Sequence, residues 1–245
     1  LEKVDHTSNE KLIHYQQNGI RNTIAVDEIL VGAGRTPNVD LNLEAVGVDY
    51  DARHGVVVND YLQTTNPRIY AAGDVCMNWK FTHAADAAAR IVLKNALFAP
   101  FGLGRSKLSS LVMPWVTYTD PEVAHVGLYE PDALAKGIET TTIVIPFTKV
   151  DRALADGEPD GVVKILHKRN SDQILGATIV ARHAGEMISE ITLAIVAKQG
   201  LSALSSVIHP YPTQAEAIKK AADAYRKTLL TPRTQTLLKF LSNLS

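Results

Sequence analysis

The sequence predicts an α+β chain, and three observations carry that expectation. Residues 162–167 and 174–181 are apolar, strand-like runs on either side of Lys-Arg-Asn-Ser-Asp, which reads as an antiparallel pair. Residues 82–98 change to a helical period, with Ala84, Ala85, Ala88, Ile91, Val92 and Phe98 forming an apolar stripe that Asn95 interrupts. Of the 245 residues, 46% are hydrophobic and 21% charged, the balance of a folded globular protein.

The elements follow in order. Residues 11–17 alternate weakly, as a half-exposed strand does, and Asn18-Gly19 is a hairpin turn signal. Residues 24–32, Ile-Ala-Val-Asp-Glu-Ile-Leu-Val-Gly, end in a run that reads as a buried strand, broken by Gly32, Gly34, Pro37 and Asn38. Short strands are expected at 55–58 and 68–72. Helix 82–98 ends at Pro100 and two glycines, and a composition shift at Gly-Leu-Gly-Arg-Ser-Lys-Leu-Ser-Ser marks a boundary. Strands are expected at 113–118 and 143–147. An amphipathic helix at 184–199 is expected to close on Gly200. Another helix should run from Thr213 to about Lys227, and a last one from Pro232, with Leu237, Leu241 and Leu244 at helical spacing.

Composition excludes several classes. A net charge of −1 offers no electrostatic reason for nucleic acid or an anionic membrane as partner. No apolar run approaches the ~18 residues that span a bilayer. The single cysteine, Cys76, excludes an intrachain disulfide and fits a reducing, cytoplasmic setting. Cys76 reads as a small buried side chain rather than a nucleophile. His6, His14, His125 and His167 lack metal-ligand spacing, so no structural metal is expected.

Two stretches carry candidate chemistry. In Ala71-Ala72-Gly73-Asp74-Val75, Asp74 is expected at the end of a strand, where α/β proteins place ligands, and Gly73 lets the backbone turn tightly. Eight residues later the helix from Thr82 begins, and its free N–H groups favour an anion or carbonyl oxygen. In Ile208-His-Pro-Tyr-Pro-Thr-Gln-Ala-Glu216, two prolines stiffen the presentation of Tyr211. Thr213 and Glu216 also have the spacing of a capping box, which alone would account for Glu216. His209 reads equally as a surface histidine before a rigid elbow. Gly32-Ala33-Gly34 does not continue into a dinucleotide fingerprint.

Taken in order, these segments resemble the flavin-dependent pyridine nucleotide–disulfide oxidoreductases, with mercuric-reductase-like and dihydrolipoamide-dehydrogenase-like features. ILVGAGRTPN resembles the segment leaving the family's nicotinamide-nucleotide domain, and GVVVNDYLQTTNPRIYAAGDV its second flavin motif. PWVTYTDPEVAHVG, ILGATIVARHAGEMI and HPYPTQAE resemble its dimerisation domain. The resemblance implies three regions: 1–34 as an α/β remnant of the NAD(P)-binding domain, 35–107 completing the FAD region, and 108–245 as a dimerisation domain with a mostly antiparallel sheet flanked by helices. It implies that Asp74 binds the ribityl chain of FAD, beside Gly73, and that the backbone at Thr82 and His83 faces the flavin pyrimidine edge. It implies a homodimer in which Tyr211, Glu216 and, less directly, His209 reach the partner's active site.

Thiol-reducing members carry histidine where Tyr211 stands, oriented by the glutamate that Glu216 matches. A tyrosine shuttles protons poorly by comparison, which puts glutathione and lipoamide reduction in doubt. Tyrosine at this place is similar to mercuric reductase, whose paired C-terminal cysteines have no counterpart in TQTLLKFLSNLS. The family's first flavin fingerprint, redox CxxxxC and nucleotide-binding GxGxxG do not occur in the chain, which starts at Leu1. The chain therefore reads as the C-terminal half of an enzyme that passes hydride from NAD(P)H to FAD and on to a redox disulfide. The final acceptor is a small-molecule disulfide or a soft metal ion. Two other readings stay open: an inert dimerisation module, and a flavin oxidase without a redox disulfide.

Overall fold

The computed structural model describes residues 1–7 and 10–242. The chain forms two compact units. One comprises residues 1–59 and 63–80, the other residues 60–62 and 81–245.

In the first unit, β1 (Lys3–His6), β2 (Lys11–Gln17) and β3 (Ile20–Val26) form an antiparallel sheet in that order. The β2–β3 hairpin turns on Asn18 and Gly19, both with positive φ, as the Asn-Gly signal requires. Two-residue strands β4 (Tyr50–Asp51) and β5 (Gly55–Val56) pair beside a small core of Leu43, Val48 and Val56.

Two expectations fail here. The run Ile29-Leu30-Val31 forms no strand, and Leu30 stands 98% exposed. An all-apolar strand needs neighbours on both edges and both faces, and the described residues supply none. Residues 68–72 form no strand either, apart from one bridge between Gln63 and Tyr70. Here Thr64 closes a tight turn on Ile69, and the chain runs directly into a single 3-10 turn, Gly73–Val75. Asp74 therefore sits in a turn rather than at a strand tip. Of 55–58, only Gly55 and Val56 belong to a strand, with Val58 in an isolated bridge.

The second unit opens with α1 (Thr82–Leu97), which buries Ala84, Ala88, Ile91 and Asn95. Asn95 is thus part of the buried stripe, and Phe98 is exposed. The amide explains the polar choice. Its Nδ2 donates to the Tyr61 and Ser106 carbonyls at 3.1 and 2.9 Å, and its Oδ1 accepts from Ser106 N–H at 2.8 Å. A buried amide so satisfied ties two loop segments to the helix.

A five-stranded sheet follows, built from β6 (Pro114–Thr117), β7 (Glu122–Gly127), β8 (Thr140–Pro146), β9 (Val162–Lys168) and β10 (Ile174–Ala181). Its order is β6-β7-β10-β9-β8, and every neighbouring pair is antiparallel. Alternation puts Ala124, Val126, Val163, Ile165, Ala177 and Ile179 on one buried face. Two helices cover that face. From α4 (Ala184–Val196) come Ala184, Met187, Ile188, Ile191 and Ala194, and from α6 (Glu216–Thr228) come Ala217, Ile218, Ala221, Ala222 and Tyr225. The short helices α2 (Glu130–Ala135), α3 (Asp151–Ala155) and α5 (Leu201–Ser206) connect these layers, and α7 (Pro232–Ser242) follows them.

The α4 terminus differs from expectation. The left-handed residue is Lys198, and Gly200 instead caps the start of α5 with an ordinary negative φ. A Cβ there would displace the Asp172 carboxylate, whose Oδ2 accepts from the Ser202 N–H at 3.3 Å. Of the expected leucine repeat in α7, Leu244 and the side chain of Leu237 lie outside the described residues.

The solvent side of the sheet holds a buried histidine. His125 stacks on Tyr129 at 3.7 Å between ring centroids, with Nδ1 on the Thr178 hydroxyl at 2.9 Å and Nε2 on the Gly127 carbonyl at 3.1 Å. Burial lowers its pKa below the usual 6.5, partly offset by the Gly127 carbonyl. The unfolded chain therefore binds this proton more readily than the folded one. Stability should be fully present above about pH 6.5 and decline as the pH falls below it. Comparing melting temperatures between pH 8 and pH 5.5 checks this. His125→Gln should flatten that part of the slope, and an unchanged slope would contradict the assignment.

Candidate functional site

The segment joining α5 to α6 is anchored at both ends and free at its tip. At the entry, His209 is not a surface residue. Its side chain is 5% exposed, and Nε2 lies 2.9 Å from Glu190 Oε1 on α4. Its Nδ1 faces the Val207 carbonyl at 3.3 Å. At the exit, Gln214 is buried, and its Nε2 donates to Glu158 Oε2 at 3.3 Å. Glu158 is also held by Arg182. Between these anchors the Thr213 hydroxyl donates to the Pro210 carbonyl at 2.8 Å and closes the turn.

Tyr211 stands at the tip, 70% exposed, and its phenol donates to Asp151 Oδ2 on α3 at 2.9 Å. That hydrogen bond to a carboxylate raises the phenol's pKa above the ordinary value of 10. Tyr211 is accordingly a neutral phenol at neutral pH.

The expected capping box does not form. Ala215 is the N-cap of α6, without a side-chain cap bond, and Glu216 is its first residue. The Thr213 hydroxyl is turned to Pro210 instead, because the preceding elbow uses it. Glu216 Oε1 pairs with Lys220 Nζ at 3.0 Å, while Oε2 is buried without a hydrogen-bond partner. The phenol of Tyr211 thus rests on Asp151, not on Glu216. A cavity of about 290 Å³ lies beside the exit, lined by Arg152, Asp156, His183, Met187, Thr213 and Gln214. On the entry side, an apolar groove of about 590 Å³ runs along α4 and α5 past Ile208 and His209.

In the first unit, Gly73 has φ 82° and its N–H approaches the Met77 sulfur at 3.3 Å. The Asp74 carboxylate is half-exposed, 3.9 Å from Arg35 Nε. Arg35 also donates to the Lys80 carbonyl, and Lys80 Nζ donates to the Asp74 carbonyl at 3.1 Å. Gly55 makes room for this turn, since a Cβ there would fall on the Val75 carbonyl. Cys76 lies alongside, and burial pushes its thiol up to about 11, so it is not a poised thiolate.

In the second unit, Thr82 and His83 open α1. The first internal helical bond runs from Ala85 N–H to the Phe81 carbonyl at 3.0 Å. No side chain caps the terminus, and its first turn holds no acidic residue, so its positive end is left for an outside acceptor. His83 points elsewhere. Its ring stacks on Phe81, and Nε2 donates to the Pro114 carbonyl at 2.9 Å, which ties the helix start to β6.

Sequence reasoning missed Asp151, Glu190 and the Arg35–Asp74 contact. Asp151 lies 60 residues from Tyr211 and Glu190 lies 19 from His209. Neither separation has a local signature.

An all-antiparallel sheet with helices on one face, ending in an exposed elbow, follows a smaller unit with a glycine turn and a strand-free carboxylate. Residues 113–222 match the pyridine nucleotide-disulphide oxidoreductase dimerisation domain, and residues 2–89 the pyridine nucleotide-disulphide oxidoreductase domain. The chain belongs to the pyridine nucleotide–disulphide oxidoreductase family. It is 39% identical to a mercuric reductase of Staphylococcus aureus over 92% of its own length and 41% of that protein. It is 36% identical to a dihydrolipoyl dehydrogenase of Thermus scotoductus, over 88% of its length and 46% of that protein. Among solved structures, the HOCl-induced flavoprotein disulfide reductase RclA from Escherichia coli matches with a TM-score of 0.77 at 26% identity, covering 90% of this chain and 49% of that one. LpdA from Mycobacterium tuberculosis matches with a TM-score of 0.79 at 27% identity, covering 91% and 48%. The chain thus spans somewhat under half the length of the relatives it matches. Among the described residues, no helix is long and apolar enough to cross a membrane.

Proposed function

We propose that this chain works as part of a homodimeric flavoenzyme that takes hydride from NAD(P)H and passes electrons to a redox disulfide, with Tyr211 completing the partner protomer's site. The observation that carries this reading is the elbow itself. Both of its ends are buried and bonded, yet its aromatic tip is turned outward, where packing within the chain gains nothing from it. Ordering an exposed ring between two prolines is explicable if something outside the protomer uses it.

Each unit offers groups suited to a flavin. Asp74 would accept hydrogen bonds from the ribityl hydroxyls at a glycine turn with positive φ. The uncapped N–H groups at Thr82 and His83 would face the pyrimidine edge and stabilise negative charge there. When bound, FAD supplies the two-electron chemistry. The chain's own contributions are to hold the cofactor and to offer a neutral phenol. Glu216 is proposed to set the start of α6 beneath Tyr211, and His209 to anchor the elbow through Glu190. For the second copy, Ile208, 93% exposed, together with Leu193 and Val196, presents apolar surface next to the elbow. The final acceptor is proposed to be a disulfide or a soft metal ion. Both fit relatives named for mercury and for lipoyl groups, and RclA is also known as a Cu(II) complex.

The experiment is absorbance of the purified full-length protein. A band near about 450 nm, diminished per protomer in Asp74→Ala, is the expected result. A colourless full-length protein would remove the flavin reading and leave a dimerisation module.

A further inference from the structure

A phenol has one proton to give and lone pairs with which to accept. Tyr211 gives its proton to Asp151 at 2.9 Å, so toward any third group its oxygen acts as an acceptor. Two nearby ion pairs are already closed. Glu216 pairs with Lys220 at 3.0 Å and Arg152 with Asp156 at 2.7 Å. Among the described residues no cation pairs with Asp151. The same segment holds two more acceptors without donors, Gln214 Oε1 and Glu216 Oε2, both buried. At its exposed tip the elbow therefore offers the phenol oxygen as an acceptor, with the Asp151 carboxylate, which has no ion-pair partner among the described residues, behind it.

We propose that Asp151 is a positioning and specificity-determining residue: it takes the Tyr211 proton and makes the elbow an acceptor surface backed by a carboxylate. The inference rests on the reading that Tyr211 serves a partner's active site. Such a surface favours electron acceptors that bring positive charge or a hydrogen-bond donor. It works against those that present a carboxylate or thiolate, because like charges brought together as water leaves raise the cost of binding. Asp151 need not touch substrate to do this, since it acts through the phenol.

The test uses two disulfides of opposite charge, cystamine and 5,5′-dithiobis(2-nitrobenzoate), with the full-length flavoenzyme. Asp151→Asn keeps an oxygen that can accept the phenol proton but removes the charge. The ratio of kcat/KM for the cationic over the anionic disulfide should fall about three- to tenfold, mainly through KM. In the same variant, ¹³C-labelled tyrosine spectra should show Tyr211 ionising at lower pH than in the parent. Melting curves identify a variant that has lost its fold, in which case Asp151→Glu, keeping the charge, should retain the parental ratio. If the ratio is unchanged in Asp151→Asn while Tyr211→Phe still impairs turnover, this inference is overturned and the reading of Tyr211 survives. If Tyr211→Phe changes nothing with either disulfide, both fall together. An unshifted tyrosine titration also overturns the inference, because it would mean that the pair does not exist in solution.

Discussion

Tyr211→Phe in the full-length flavoenzyme should lower turnover by about tenfold or more, while its melting temperature moves by only a few degrees. The ring and its proline bracing remain, so the elbow keeps its shape. What is lost is one hydroxyl and its exposed bond to Asp151. A solvent-exposed hydrogen bond contributes little to stability, because water replaces it when it is lost. A positioned acid–base or polar group at a reaction centre typically contributes about 100-fold or more to rate. The two readouts should therefore separate. Steady-state kinetics with disulfide and metal acceptors, alongside calorimetry, check this. Unchanged kinetics across all of them would contradict the role given to Tyr211.

Gly176→Ala should produce a large loss of stability, about 3 kcal/mol. β10 carries a register irregularity at Ile174/Gly176 in its pairing with β9. A Cβ at 176 would fall on the Leu128 carbonyl oxygen and within 2.7 Å of the Leu128 nitrogen. Those are backbone atoms just past the end of β7, and they cannot rotate aside as a flexible side chain can. Leu128 N–H also bonds to the Leu175 carbonyl at 2.9 Å, so any shift breaks that bond as well. Denaturant unfolding at fixed pH measures the change, and a loss under about 1 kcal/mol would show that the sheet yields more readily than its geometry implies.

What was legible in the sequence follows from how local each signal is. Helix α1 was readable to within a residue because its stripe repeats at 3.6 positions. Even so, Asn95 looked like a break when it is a buried, fully bonded member of that stripe. The β9–β10 pair was readable because its turn is short and its two runs are strongly apolar. β7 was not read as a strand, because His125 sits in the middle of Glu-Val-Ala-His-Val-Gly and masks the alternation. The apolar run at 29–31 misled for the opposite reason, since its composition is that of a buried strand but the described chain offers it no ladder. Thr213 and Glu216 have capping-box spacing, yet the elbow takes the Thr213 hydroxyl first. The sequence pointed to single candidate residues, Gly73, Asp74, Thr82, His83, His209, Tyr211 and Glu216. Their partners were not, because Asp151 and Glu190 arrive from elements whose placement only the fold determines.

The central claim is that Tyr211 acts on the neighbouring protomer, and mixed dimers test it most directly. One population carries Tyr211→Phe and the other lacks the redox cysteines expected in the full-length enzyme; the two are co-refolded. If each site draws its tyrosine from the partner, half of the mixed population is hybrid and each hybrid regains one intact site, returning activity to about a quarter of the parent. Activity no greater than the average of the two parental variants would show that Tyr211 serves its own protomer or none.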